Sequence, residues 1–578
     1  MILQALTDLY EQLVAQDKLA GPGWSQVKVS YALYLNDQGE LTQVACLKQE
    51  QPQGKKTILL PQTFSLPSPV KRSSGVAANF LCDNSGYLLG IDNKGKPERS
   101  RACFEATAQL HRKILDGVDT PTARAILAFF DGWDPAKARD HPALTEALED
   151  ILAGANLVFR YGSQYVHEIP EIRQAWESYF NSSCGDGPEM VCLVTGRRGH
   201  VESVHPAIKN VAGAQSSGAA LVSFNAPAFC SYGKEQNYNA PTSQYATFAY
   251  TAALNYLLSD KQRVCRLGDA TVVCWARSGE PEYTDFFSNS FFDLDGHYEE
   301  QDLQSMMATL CQGNPVHFEE RQLDPNMEFY VLGLSPNAAR LSVRFFLRNS
   351  FGAFIANARA HQQRLKIVRP SFDKFETLPL WVMLRETVNQ NARDKSPSPN
   401  LSGETLRAIL TDTPYPATLL QGVQLRIRAE REINRGRAAI LKAYYLKKPH
   451  SEVPKEVLTV ALNRESTNVP YTLGRLFSLL EAIQSSANPN INTTIKDRYF
   501  NSASATPARI FPTLINLSQK HLKKLSGGFR VSYDRQITEL MSKLPEDFPA
   551  QLSLPQQGAF QLGYYHQTQA RYEKREEN

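Results

Sequence analysis

The chain has 578 residues, 42% of them apolar and 21% charged, with a net charge of +3. That length is too great for one core and predicts roughly two to four domains, while the composition is that of an ordinary globular protein and excludes a disordered chain. Near neutrality means that affinity for a polyanion has to come from local patches.

"MILQALTDLYEQLVAQ" reads as an amphipathic helix with acids inside it, unlike a signal peptide. No run of about 18 apolar residues is present to cross a membrane. "VKVSYALYL", "NDQGE" and "LTQVACL" alternate, turn and alternate again, which predicts a hairpin. In "PERSRACFEATAQLHRKIL" the spacing of Phe104, Leu110 and Ile114 predicts a helix. "GAALVSFNAPAF", "DATVVCWARS" and "MEFYVLGLS" read as strands, and "TSQYATFAYTAALNYLLSD" as a buried helix.

After "IVRPSFDKF" the strand signals fade. "TLPLWVMLRETVNQNA", "SGETLRAILTD", "PATLLQGVQLRIRAEREINRGRAAILKAYYLKK", "YTLGRLFSLLEAIQSSAN", "RIFPTLINLSQKHLKKLS", "YDRQITELMSKL" and "YYHQTQARYEKRE" follow, separated by breaks such as "KSPSPN". The expected architecture is an α+β N-terminal part with short mixed or antiparallel sheets (residues 1–370), then an all-α helical bundle (371–578). The nine cysteines lie between Cys46 and Cys311 and do not resemble a disulfide framework, so the expectation is a cytoplasmic protein with reduced thiols.

Charge is concentrated. Arg340 to Lys374, which includes Arg344, holds eight Lys/Arg and one acid, Asp373. Arg426 to Lys448 holds eight more, among them Arg428, Arg435 and Arg437, against Glu430 and Glu432. From Ala461 onward basic residues again exceed acids, with Lys523 and Lys524 adjacent. A solvated helix face accounts equally well for any single run. Three such runs in one neutral chain tilt the balance towards nucleic acid, because counterion release rewards clustered cations.

Few patterns carry catalytic chemistry. Cys184, Cys192, His200 and His205 invite a zinc reading, but seven residues separate the two cysteines where structural sites use two to four. "VTGRRGH" lacks the P-loop pattern. Asp285, Asp293, Asp295 and His297 in "DFFSNSFFDLDGHYEE" would suit a metal-dependent nuclease only if carboxylates from other elements converged on them. The chain is therefore expected not to be an enzyme and to need no cofactor or metal.

Two polar loops remain. "KRSSGVAANFLCDNSGYLLG" offers Lys71, Arg72, Ser73, Ser74, Asn79 and Asn84, and its "NFLC" core is expected to hold the loop in place. "GAQSSGAALVSFNAPAFCSYGKEQNYNAPTS" offers Gln215, Ser217, Asn225, Lys234, Gln236 and Asn239, with Ser231, Tyr232 and Asn237 between them. An amide presents a donor and an acceptor together, as reading a base edge requires. Asn, Ser and Gly are equally ordinary turn residues, and the loops alone leave both readings open.

"MILQALTDLYEQL", "KRSSGVAANFLCDNSGYLLG", "SFNAPAFCSYGKEQNYNAPTS", "FYVLGLSPNAARLSVRFF" and "GAFQLGYYHQTQARYEK", spread from the first residue to near the last, together resemble the large subunit of the type I-C (Dvulg subtype) CRISPR Cascade complex. The resemblance implies a non-catalytic subunit beside the 5′ handle of the guide RNA. Such a subunit recognises the protospacer-adjacent motif in double-stranded DNA, helps open the duplex and stabilise the R-loop, and presents the DNA to a helicase-nuclease. Implied partners are the Cascade backbone subunits, the handle-binding subunit and the small subunits. The bundle resembles the small subunit, and the resemblance implies that about 455–578 can be made separately from an internal start near Glu452–Val460. Related Cascades use a glycine-containing loop, a lysine and a glutamine wedge on the minor-groove side, which makes Gln215 the wedge candidate. The two loops would then contact the duplex, and Arg340, Arg344, Arg426, Arg428, Arg435, Arg437, Lys523 and Lys524 would hold strand backbone. Two other readings stay open: a nuclease built on Asp293 and Asp295, and a purely architectural subunit of the complex.

Overall fold

The computed structural model describes residues 1–53, 56–70, 75–183, 188–292, 298–373, 375–393 and 395–572. Contacts divide the chain into two compact units, one of Met1–Pro206 with Val222–Leu254, the other of Ala207–Leu221 with Asn255–Asn578. An N-terminal α+β region with short sheets precedes a helical C-terminal part, as expected.

In the first unit the expected hairpin forms, Tyr31–Leu35 pairing antiparallel with Leu41–Cys46. Asn36 makes the turn, its Oδ1 accepting from the amides of Gln38 and Glu40. "VKVSYALYL" is nevertheless two strands, because Trp24–Val29 leaves this sheet to pair with Gln62–Pro67. Tyr31–Leu35 also runs parallel to Asn156–Tyr161, which pairs with Cys82–Asn84 and Gln164–Tyr165. Leu33 and Phe159 of the sheet pack with Phe104 of the Pro97–Leu115 helix and with Ile126, Phe129 and Phe130 of the Pro121–Gly132 helix.

The second unit opens on an antiparallel sheet in the order Cys265–Leu267, Ala270–Ala276, Glu328–Asn337, Arg340–Ser350. Ala270–Ala276 is buried along its whole length, as its uninterrupted apolar run predicts. "GAALVSFNAPAF" does not form the strand expected of it. It makes isolated bridges from Ala219 to Ile208 and from Ala220 to Arg340, then a single 3-10 turn at Pro227–Phe229. The change of character near residue 370 lies inside this unit, where one apolar core runs from Cys265 to Tyr565.

The helical stretch expected over residues 416–448 is two helices, Ala417–Glu430 and Arg435–Lys447, because Arg431 adopts a left-handed conformation (φ +56°) and Asn434 caps the second. Helices Val469–Ala487 and Leu554–Ala570 cross with their backbones nearly touching. A Cβ at Gly474 would fall on the Phe560 carbonyl, and one at Gly563 on the Tyr471 carbonyl. Gly474→Ala or Gly563→Ala should therefore destabilise the chain by about 3 kcal/mol or more, because backbone cannot yield as a side-chain tip does. Urea unfolding of the full chain checks this, and an unchanged midpoint would mean that the crossing is looser than described.

Candidate nucleic-acid interface

Lys71, Arg72, Ser73 and Ser74 lie outside the described residues, but the frame of their loop is visible. Asn79 Oδ1 accepts from the Val70 amide at 2.9 Å, joining the two flanks of the loop, and the Asn79 amide donates to Asp83. Asn84 caps the short Ser85–Leu88 helix by accepting from the Gly86 amide at 3.0 Å. Both amide oxygens are thus engaged locally.

The "NFLC" core anchors the loop, as expected. Phe80, Leu81 and Cys82 are buried, and the chain reverses at Leu81 (φ +63°). Inside the core the Leu81 amide donates to His111 Nε2 at 3.0 Å, so Nδ1 carries the proton and donates to the Thr107 carbonyl at 2.8 Å. Burial pushes the His111 pKa from 6.5 down to about 4.

The second loop is divided between the units. Gln215 and Ser217 belong to the second unit, where both are exposed at a turn closed by the Gly218 amide donating to the Gln215 carbonyl (2.9 Å). The base of this turn is fixed by reciprocal Ile208–Ala219 hydrogen bonds and by the Ala212 amide on Thr271 Oγ1. Ala220 is held between Ala339 and Leu341 of the sheet. Gly218 is required at φ +95°, since a Cβ would meet the Ile208 carbonyl oxygen at 2.8 Å. Gln215 is therefore a polar tip on a rigid base.

Asn225, Lys234, Gln236 and Asn239 belong to the first unit. The first three are exposed. Asn239 is instead an internal clamp, accepting from the Ser231 amide (2.8 Å) and donating to the carbonyls of Lys234 (3.0 Å) and Gln236 (2.9 Å). With three hydrogen bonds inside its own loop, it is removed from the set of base-edge readers. Between its ends stands Tyr232, 98% exposed, a residue of the loop not chosen as a candidate from sequence.

The basic runs separate into buried and exposed cations. Arg435 is buried against Asp373 (3.0 Å) and the carbonyls of Phe375 and Glu376. Arg437 is 2% exposed and binds Glu386 (3.2 Å), Glu430 and the Glu432 carbonyl. Neither can hold a phosphate, because its charge is matched inside the protein; both are withdrawn as strand contacts. Lys442 is buried as well, on the Arg364 carbonyl, and burial pushes its pKa down to about 8. Arg344 is engaged by Asp269 (2.6 Å), Arg426 by Glu430 (3.5 Å), and Arg340 is half-buried at the start of its strand. Arg428, Lys523 and Lys524 present exposed charge, with Arg428 also reaching Gln557 and Lys524 reaching Asn488.

Asp293, Asp295, His297 and Cys184 lie outside the described residues. Asp285 is gripped by Arg263 through two bonds of 2.7 and 2.9 Å. Cys192 Sγ accepts from the amides of Thr195 and Ser243; burial pushes this thiol up, but those donors outweigh it and bring it to about 7. His205 faces the Tyr250 hydroxyl at 2.6 Å in the core, and His200 is half-buried. Among the described residues no three His, Cys, Asp or Glu side chains converge to hold a metal. A cavity of about 800 Å³ in the first unit, which the sequence did not signal, is lined by Asp8, Glu11, Arg197, Arg198, Tyr245 and Phe248 among others.

The described residues carry exposed polar turns and a mixed set of buried and exposed cations. The model of the family CRISPR-associated protein (Cas_Csd1) matches residues 6–572, nearly the whole chain, and the chain belongs to that family. No curated protein matches it. Membership places it among the subunits of a multi-subunit complex.

Two predictions follow from the buried groups. Arg437→Ala should cost about 3–5 kcal/mol of stability, since Glu386 keeps only the Asn434 amide and Glu430 only the longer Arg426 pair; denaturant midpoints measure it, and a near-neutral result would refute the buried pairing. Acid should also weaken the fold. Burial lowers His111, His167, His205 and His566 to about 4 and His361 to about 3. The unfolded chain takes up these protons near pH 6.5 and the folded chain only near 4. The histidine contribution is therefore complete above pH 6.5 and is lost as pH falls from 6.5 towards 4. At pH 5 each costs up to about 2 kcal/mol relative to pH 7.5, and a flat urea midpoint over that interval would contradict the assignment.

Proposed function

We propose that this chain is the non-catalytic large subunit of a type I-C Cascade, reading the protospacer-adjacent motif in double-stranded DNA and helping to open the duplex for pairing with the guide RNA. Guide RNA, handle-binding subunit, backbone subunits and small subunits are its partners, and the opened DNA is passed to a separate helicase-nuclease. The observation that carries the reading is the pairing of a whole-chain family match with an exposed amide, Gln215, at the tip of a rigidly based turn. A rigid polar tip suits insertion into the minor groove, where readout is degenerate and opening requires a wedge. Arg428, Lys523 and Lys524 suit the displaced strand, whose recognition is mainly phosphate charge. The Asp293 and Asp295 nuclease gains no support from the described residues, because the nearby Asp285 is held by Arg263.

In the assembled complex, Gln215→Ala should lower affinity for motif-bearing duplex by roughly tenfold or more while sparing a target opened in advance. Combined Arg428→Ala, Lys523→Ala and Lys524→Ala should weaken both and flatten the salt dependence. Equal losses on closed and opened targets for Gln215→Ala would refute the wedge.

A further inference from the structure

We infer that Tyr232 is a base-stacking residue, whose ring lies on the face of a DNA base uncovered where the target duplex opens. This deepens the duplex-opening reading and rests on it.

The turn that carries Tyr232 is built against local preference. The Lys234 amide donates to the Ser231 carbonyl at 3.1 Å, and the two residues between them, Tyr232 (φ +54°) and Gly233 (φ +67°), are both left-handed. Left-handed angles at both central positions define the primed type I turn, whose first central position favours Asn, Asp or Gly. A bulky aromatic residue is among the least suited to it. The clamp on Asn239 nevertheless holds both ends of the turn, and the Asn237 amide ties the loop to the Ser203 carbonyl (3.2 Å).

This effort presents a ring with nothing to rest on. At 98% exposure Tyr232 is buried against no neighbour in its own chain. An aromatic ring presented to water on a clamped backbone gains burial only from another molecule. The surroundings select the class of that molecule. A Cβ at Gly233 would meet nothing within 4 Å, so the turn itself is open to an approaching partner, and Lys234 is an exposed cation two positions away for a phosphate. Ring, cation and open approach are what unstacked nucleic acid requires, and every base offers a π-face whatever its identity. Tyr232 therefore contributes to opening without reading sequence, which separates it from Gln215.

The test uses the assembled complex and a closed duplex carrying 2-aminopurine at successive positions beside the motif. Wild type should quench the probe at one position by stacking. Tyr232→Ala should abolish that quenching and lower affinity roughly ten- to a hundredfold on any accepted motif, whereas Tyr232→Phe and Tyr232→Trp should retain both. Tyr232→Gly relieves the left-handed conformation, so it should be at least as stable to urea as wild type and yet bind like Tyr232→Ala. If wild type prefers no motif-bearing duplex over random DNA, the duplex reading fails and this inference with it. If wild type binds and the Ala and Gly variants match it within about twofold, the inference alone is overturned. Crosslinking from position 232 to protein rather than DNA overturns it as well.

Discussion

The second unit depends on a contact that side chains would forbid. Gly474 and Gly563 let helices Val469–Ala487 and Leu554–Ala570 meet backbone to backbone, and the consequences spread outward from that crossing. At this separation Tyr564 reaches Glu481, His566 reaches Tyr471, and Ser478 reaches Thr568. The opposite side of the last helix then packs on the rest of the unit. Gln561 exchanges two amide hydrogen bonds with Gln424, and the Tyr565 hydroxyl donates to the Val368 carbonyl at 2.6 Å. The last helix is thus a core element, rich in polar side chains that bond across it, rather than a surface appendage. Any separately made 455–578 fragment would have to cover the face that Gln424 and Val368 cover here.

The same satisfaction rule sorts the cations. A lysine or arginine inside a protein persists only with partners, because desolvation outweighs an isolated charge. The run from Arg426 to Lys448 crosses the break between two helices, and there the carboxylates of Glu386 and Glu430 draw Arg437 inward. Glu386 shows the tension directly: burial raises its pKa against the pull of Asn434 and Arg437. Cations beyond that knot, such as Arg428, remain at the surface. One basic run therefore serves the core and the surface at once, and composition alone does not separate them.

Much of the architecture was legible because it rests on short-range patterns. The alternation around Asn36 fixed a hairpin, and the apolar runs at Ala270–Ala276 and Glu328–Asn337 became buried strands. Errors arose where tertiary partners decide. "GAALVSFNAPAF" has a strand's composition but makes only single bridges at Ala219 and Ala220, because the chain passes from the second unit to the first just after Leu221. The split at Arg431 is invisible to periodicity, as arginine is no helix breaker. The Ile495–Ala505 helix was overlooked although Thr494 and Asp497 form a capping box, a signal present in "TIKD". Among the site residues, exposure of Gln215, Lys234 and Gln236 followed from polarity, whereas the clamp role of Asn239 needed the folded loop to be seen.

Local preference and global fold agree through most of the chain, so the places where they conflict carry information. Left-handed residues at helix ends, such as Arg431, are repaid by the helix that follows. Leu81 is repaid by burial and by the His111 hydrogen bond. Tyr232 has no such return within its chain, because its ring meets only solvent while Asn239, accepting from the Ser231 amide and donating to the Lys234 carbonyl, keeps the turn in place. A conformational cost with no internal compensation is expected where a partner supplies it. By that criterion the turn at Tyr232 differs from the described flanks at Val70, Asn79 and Asn84: the flanks are an internally satisfied frame, and the turn carries a cost that nothing in its own chain offsets.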